Sequence, residues 1–223
     1  MSYYPVLLDL TGKKVVVLGG GVVAQRKVES LIGCGADVHI ISRELTSLLK
    51  GYVEEGKARH TGEEFTGEEL NGAILVIAAT DDASLNREVS RMAQRRGIFV
   101  NAVDQPSDCT FIVPSVVRRG DLIIAISTSG KSPALAKRIR ERLSRQFGRE
   151  YESFLLMMGR IREEIRSRGL PQKENSRIFH ELIDSPILEA IRNRAYNEIA
   201  ALLTGILGRR VSPEDVRDYM GAA

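Results

Sequence analysis

Cysteine and histidine are scarce in this chain of 223 residues, which contains only Cys34, Cys109, His39, His60 and His180. None of them falls in a C-x-x-C or H-E-x-x-H spacing, so the sequence offers no metal site, and two distant cysteines make no disulfide framework. Long apolar runs are missing too. The longest wholly apolar stretch, residues 73–79, is far short of the roughly 20 residues that cross a bilayer, so no membrane contact is expected. The opening Met1-Ser2-Tyr3-Tyr4-Pro5 lacks a basic segment followed by an apolar one, so no secretory signal is expected and the sequence reads as cytoplasmic. The formal net charge of +3 is too small to imply a nucleic-acid partner, and there is no internal repeat or low-complexity tract. With 43% hydrophobic and 27% charged residues, the composition is that of a soluble globular protein. The length suits one ordinary core, or a nucleotide domain with a smaller appendage.

The most informative segment is Val15-Val16-Val17-Leu18-Gly19-Gly20-Gly21-Val22-Val23-Ala24. An apolar strand breaks on three glycines and resumes at helical spacing, with Val23, Ala24, Val28, Leu31 and Ile32 on the apolar positions. In a mononucleotide-binding βαβ unit, Gly19 would allow the turn, Gly21 would let a pyrophosphate approach the backbone, and Ala24 would pack helix against strand. The free N–H groups and the dipole of such a helix make an anion site without a charged side chain. A purely structural turn is the competing reading.

Strands at 15–18, 38–41, 74–79 and 98–101 alternate with helical patterns at 22–32, 45–55 and 83–96, which specifies a parallel sheet covered by helices. Asp82 is the expected cap of the third helix, with Ser84 and Asn86 outward and Leu85, Val89 and Met92 on its apolar face. Beyond Asn101 the rhythm changes to short β segments at 111–113, 116–118 and 122–127, as in a second, antiparallel subdomain. From Ser132, a plausible N-cap, to about Arg168 the pattern is helical with interruptions at Gly148 and Gly159. Further helices are expected at 187–203 and after Ser212, linked by Gly169-Leu170-Pro171 and by residues 205–208. The expected organisation is an α/β Rossmann-like domain at 1–113, a small α+β subdomain at 114–150 and a helical region at 151–223.

Three further constellations bear on chemistry. At the tip of the second strand, Ser42, Arg43 and Glu44 face the nucleotide ribose; serine and arginine suit a 2′-phosphate, whereas Glu44 suits ribose hydroxyls. Thr80, Asn101 and Asp104 follow later strands on the same edge. A carboxylate beside a nicotinamide can take the proton that leaves with a hydride, although Asp104 before Gln105-Pro106 is equally a turn former. Residues 127–133, Ser-Thr-Ser-Gly-Lys-Ser-Pro, fail as a phosphate loop, because Ala125 stands where its first glycine belongs. Thr128, Ser129, Gly130, Lys131 and Ser132 nevertheless form a hydroxyl-rich entry to a helix, a second anion site. From 130 to 149, seven basic residues stand against Glu141 alone, a local +6 that attracts a polyanion. Aromatic residues do not interleave with these charges, which argues against nucleic acid.

Taken in order, Gly19-Gly20-Gly21-x-Val23-Ala24-x-Arg26-Lys27, Ala78-Ala79-Thr80-Asp81-Asp82, Asn101-x-Val103-Asp104, Phe111-Ile112-x-Pro114-Ser115 and Ser129-Gly130-x-Ser132-Pro133-x-Leu135-Ala136 resemble the precorrin-2 dehydrogenases, the dehydrogenase and ferrochelatase module of siroheme synthases. The resemblance covers about residues 1–150. It implies NAD⁺-dependent oxidation of the tetrapyrrole precorrin-2 to sirohydrochlorin and, in bifunctional members, insertion of Fe²⁺ as a substrate metal. It also implies a homodimer built largely through the segment after the nucleotide domain. Asp104 matches the family's catalytic aspartate; Gly19 to Ala24, Ser42 to Glu44, Thr80 and Asn101 become coenzyme contacts, and Thr128 to Ser132 substrate contacts. A chain of this length leaves no room for the methyltransferase domain of fused siroheme synthases. A dehydrogenase without chelatase activity and a non-catalytic nucleotide sensor are the alternatives.

Overall fold

The computed structural model describes residues 3–169 and 171–221. The valine run becomes β1 (Lys14–Leu18), followed by α1 (Val22–Ile32), β2 (Asp37–Ile41), α2 (Ser47–Glu54), β3 (Arg59–Gly62), β4 (Leu75–Ala78), α3 (Ala83–Arg95) and β5 (Phe99–Ala102). The five strands form one parallel sheet in the order β3-β2-β1-β4-β5. Val15 and Val17 of β1 point into a core shared with α1 and α2, whereas Val16 and Leu18 point into a core shared with α3. Both faces of the strand are therefore dry, which is why its sequence is unbroken rather than alternating. Each such side chain contributes about 1.5–3 kcal/mol. Because the chain runs β1-β2-β3 to one side and then crosses to β4-β5 on the other, the topological switch lies between the carboxyl ends of β1 and β4, where open α/β sheets bind ligands.

The strand β3 has no apolar run to announce it. Arg59, His60 and Thr61 are exposed on the sheet edge, and charge there discourages pairing with another chain. The expected helix cap at Asp82 forms, its carboxylate accepting from the Ser84 and Leu85 N–H groups at 2.8 and 3.0 Å. Asn86, however, turns inward and is 2% exposed, because its amide pairs with Thr80 just beyond the end of β4. The β segment expected at 111–113 is not a strand either. Thr110 pairs with Val100 and Phe111 with the Asn101 side chain, so this stretch returns along β5 as an irregular loop end.

The chain divides into two compact units, residues 1–113 and 114–223. The second opens with a hairpin of β6 (Ser115–Arg119) and β7 (Leu122–Ile126), joined by two residues with Gly120 at φ +55°. On it lies α4 (Pro133–Gln146), capped by Ser132 with Pro133 in its first turn. The Arg119 guanidinium donates to the Phe147 and Ser144 carbonyls that end α4, both at 2.9 Å. Then follow α5 (Glu150–Ser167), α6 (Gln172–Asp184), α7 (Ile187–Arg192), α8 (Tyr196–Leu207) and α9 (Pro213–Tyr219), packed around Met157, Ile161, Leu182, Ile187, Ile199, Leu203 and Val216. Gly148 does break the helical run. Gly159 and Gly205 do not, since burial of neighbouring side chains outweighs the roughly 1 kcal/mol that a helical glycine costs. The single helix expected over 187–203 is instead two, divided at Arg194, whose φ is +54°. Of the expected Gly169-Leu170-Pro171 link, Leu170 lies outside the described residues.

Candidate active site

Gly19 and Gly20 are each required by a close backbone approach, whereas Gly21 is not. At Gly19, φ is +106° and a Cβ would sit 2.3 Å from the Ala79 carbonyl oxygen, so β4's end passes directly over it. At Gly20 a Cβ would lie 1.9 Å from the Glu44 carbonyl oxygen and 2.7 Å from Ser42 Oγ; the loop after β2 closes on this residue, with Thr46 N–H donating to the Gly20 carbonyl at 3.0 Å. Gly21 is open: φ is −80° and a Cβ would meet nothing within 4 Å. It is also the N-cap of α1, and no side chain caps that helix. The N–H groups of Val22, Val23 and Ala24 precede the first intrahelical donor, Gln25, and so form an uncapped helix end beside open space. Ala24 is fully buried, whereas Val22 is 61% exposed at the lip.

At the β2 tip, Ser42 Oγ donates to the Glu44 carbonyl at 2.8 Å and His60 Nε2 lies 2.8 Å from the Ser42 carbonyl. Arg43 reaches outward to Glu64, with Nη2 to Oε1 at 2.6 Å and both side chains exposed. At the β4 end, Thr80 is held on three sides by Asn86. The Asn86 Oδ1 accepts from Thr80 Oγ1 at 2.8 Å and from its N–H at 3.3 Å, and Asn86 Nδ2 donates to the Thr80 carbonyl at 2.9 Å. After β5, Asp104 is exposed at φ +60°, in a turn closed by Gln105 N–H to the Ala102 carbonyl at 3.3 Å. Asn101, expected to touch coenzyme, directs its amide nitrogen to the Phe111 carbonyl at 3.1 Å. Lys27, on α1, is half-buried, and burial pushes its ammonium pKa down.

Gly19 to Val22, Ser42 to Glu44, Thr80 and Asp104 thus share the carboxyl edge of one sheet. Thr128 to Ser132 belong to the other unit. There the Thr128 carbonyl accepts from Lys131 N–H at 3.0 Å, with Ser129 and Gly130 both at positive φ as in a type I′ turn. Thr128 Oγ1 accepts from the Ser132 N–H at 3.0 Å, which leaves the exposed Lys131 side chain and the Ser129 hydroxyl for an anion. Sequence reasoning missed Asn86, Glu64 and Cys109. Asn86 had a signal: with Val89, Ser90 and Ala93 it completes an i, i+3, i+4, i+7 stripe, all of it buried.

A family model described as putative NAD(P)-binding matches residues 6–115, and one described as sirohaem biosynthesis protein central matches residues 119–146. A siroheme synthase of Methylobacillus flagellatus is 39% identical over 210 residues, covering 92% of this chain and 45% of that protein. Over this span the chain is a relative of the siroheme synthases. A second relative, the siroheme synthase of Nitrosococcus oceani, is 34% identical over the whole of this chain and 48% of its own. The chain spans about half the length of the curated relatives it matches. Among solved structures, SirC, a precorrin-2 dehydrogenase, superposes with a TM-score of 0.75 at 25% identity, covering 92% of this chain and 100% of that one. The open βαβ turn and uncapped α1 fit the NAD(P)-binding description. Among the described residues no helix is long and apolar enough to cross a membrane.

Proposed function

We propose that this chain oxidises precorrin-2 to sirohydrochlorin with NAD⁺. The observation that carries the reading is the pairing, on one sheet edge, of an uncapped helix end facing open space with an exposed carboxylate held in a strained turn. When bound, the oxidised nicotinamide supplies the hydride acceptor. The Val22, Val23 and Ala24 N–H groups hold the pyrophosphate, Ser42 and Glu44 meet the ribose, and Thr80, fixed by Asn86, borders the cleft. Asp104 receives the proton that leaves the macrocycle as its hydride departs. NAD⁺ is preferred over NADP⁺: Glu64 pairs with the exposed Arg43 guanidinium and competes weakly with a 2′-phosphate, and Glu44 at the same tip suits ribose hydroxyls. The substrate's carboxylate arms are drawn to Lys131, Ser129 and the basic face of α4.

The same reading extends to Fe²⁺ insertion, since chelation also requires inner N–H protons to be removed and Asp104 is a carboxylate suited to take them. The chain acts as a homodimer: the unpaired edges of the β6–β7 hairpin and the exposed Val116 and Leu135 support an interface in the second unit. It works in the cytoplasm, where thiols such as that of Cys109 stay reduced.

The test is anaerobic turnover of precorrin-2 with NAD⁺, with and without Fe²⁺, followed by absorption spectroscopy. Asp104→Asn lowers dehydrogenation by about 10²–10⁴-fold, the span of a positioned general base, with NAD⁺ binding intact. Full turnover by Asp104→Asn would sink the assignment of the base. Loss of dehydrogenation with retained chelation of supplied sirohydrochlorin would separate the two activities. A monomer by light scattering would remove the dimer.

A further inference from the structure

Asp104 occupies the left-handed region at φ +60°, which costs a non-glycine residue about 1–3 kcal/mol and persists only where neighbours over-determine it. The turn that carries it runs from the end of β5 to Phe111, and its two ends are pinned together. Thr110 N–H donates to the Val100 carbonyl at 2.9 Å and Thr110 Oγ1 accepts from Val100 N–H at 2.8 Å. On its outer side, Gln105 Nε2 donates to the Ala83 carbonyl at 3.1 Å and Gln94 Nε2 to the Asp108 carbonyl at 3.2 Å.

The Cys109 side chain folds back onto the backbone of this turn. Its sulfur accepts from the Ala102 N–H at 3.2 Å and from Asn101 Nδ2 at 3.7 Å, and its S–H faces the carbonyls of Ala102 and Gln105, each at 3.3 Å. Ala102 and Gln105 are the residues whose own hydrogen bond closes the turn around Asp104. Burial pushes the Cys109 thiol up, so it keeps the proton it needs to donate while accepting.

We propose that Cys109 is a positioning residue for Asp104: its thiol takes the place of a core for the 102–105 turn and holds the carboxylate in its left-handed conformation. The inference rests on the reading of Asp104 as the base. It predicts that losing the thiol affects turnover and leaves coenzyme binding alone, because the hydrogen bonds of the sulfur run to Asn101, Ala102 and Gln105 and not to the glycine turn.

Four proteins decide the matter: the parent chain, Cys109→Ala, Asp104→Asn and the double variant, each assayed for precorrin-2 oxidation, NAD⁺ affinity and thermal melting. Cys109→Ala should lower kcat by about ten- to a hundredfold, the cost of an ångström-scale misplacement, with the KM for NAD⁺ within about twofold. Cys109→Ser, which can both donate and accept, should recover most of the loss. In the Asp104→Asn background, Cys109→Ala should have no further effect on kcat, since there is no base left to position. Should Cys109→Ala fail to fold, Cys109→Val, which restores volume without hydrogen bonds, takes its place with the same expected loss. A Cys109→Ala enzyme with kcat within twofold of the parent overturns the proposal while leaving Asp104 in place, as does an equal loss in both backgrounds. Full turnover by Asp104→Asn overturns the base assignment and the positioning role together.

Discussion

Gly21→Asp separates the structural from the functional meaning of the glycine turn, because the two act with opposite sign. Gly21 has ordinary φ and open space for a side chain, and it stands at the N-cap of a helix with no side-chain cap. An aspartate there accepts from the free N–H groups of the first turn. Relative to glycine, the cap is worth a few tenths of a kcal/mol. Favourable interaction with the helix dipole brings the gain to about 0.5–1 kcal/mol. For a unit of this size that raises the melting temperature by about 2–6 °C. The same carboxylate fills the phosphate position. A unit charge about 4 Å from a phosphate charge, at an effective dielectric constant near 20, costs about 4 kcal/mol, or roughly 10³-fold in Kd. Melting curves with and without NAD⁺, together with calorimetric titration, should therefore show a variant that is slightly more stable than the parent and unresponsive to coenzyme. A melting temperature several degrees below the parent's would refute the capping argument; an NAD⁺ Kd within about threefold would refute the phosphate site. Gly20→Ala is the control of opposite kind. Its Cβ meets the Glu44 carbonyl at 1.9 Å, so the loop after β2 must move, at about 3 kcal/mol or more.

Asn86→Leu removes three hydrogen bonds to Thr80 and leaves that residue's partly buried backbone groups unpaired; it should cost about 1–3 kcal/mol in urea unfolding and raise the KM for NAD⁺, and an unchanged KM would show that Thr80 does not border the coenzyme. Arg43→Ala should alter stability by no more than about 1 kcal/mol, as an exposed pair, and leave NAD⁺ preferred by kcat/KM. Should the parent prefer NADP⁺ and Arg43→Ala reverse the order, the strand tip reads a 2′-phosphate after all. In the helical unit, Glu164 accepts from Arg209 at 2.7 and 2.6 Å and also pairs with Tyr219 and Arg168. The Arg209 bonds, foremost, hold its carboxyl below the ordinary 4.5 despite partial burial, and burial followed by the Glu164 neighbour pushes Tyr219 up to about 12. A depressed carboxyl pKa stabilises the fold above its unfolded value and loses that contribution as pH falls through the folded one. Glu164→Gln should therefore lower the melting temperature at pH about 7, with the difference from the parent shrinking below pH about 4; a constant difference would show that the ionised pair contributes nothing.

Strand β1, the glycine turn and α1 were legible from residues 15–32 alone, because burial on both faces of a parallel strand and on one face of a helix leaves periodic patterns that local context cannot imitate. The Asp82 and Ser132 caps were legible for a similar reason: a cap is satisfied within three residues. Tertiary structure decided what depends on residues far apart in the chain. The edge strand β3 is polar because it buries nothing, so only pairing with β2 reveals it. Gly20 counts in the sequence only as one of the coenzyme contacts, yet the close approach it permits is to Glu44. Asn86 reads as a solvent-facing residue until the end of β4 arrives with unpaired backbone groups, and Cys109 reads as an idle thiol until the chain folds back along β5 and wraps the Asp104 turn around it. Hydrogen bonds between residues six or more apart have no period, and their partners exist only once the sheet has been assembled.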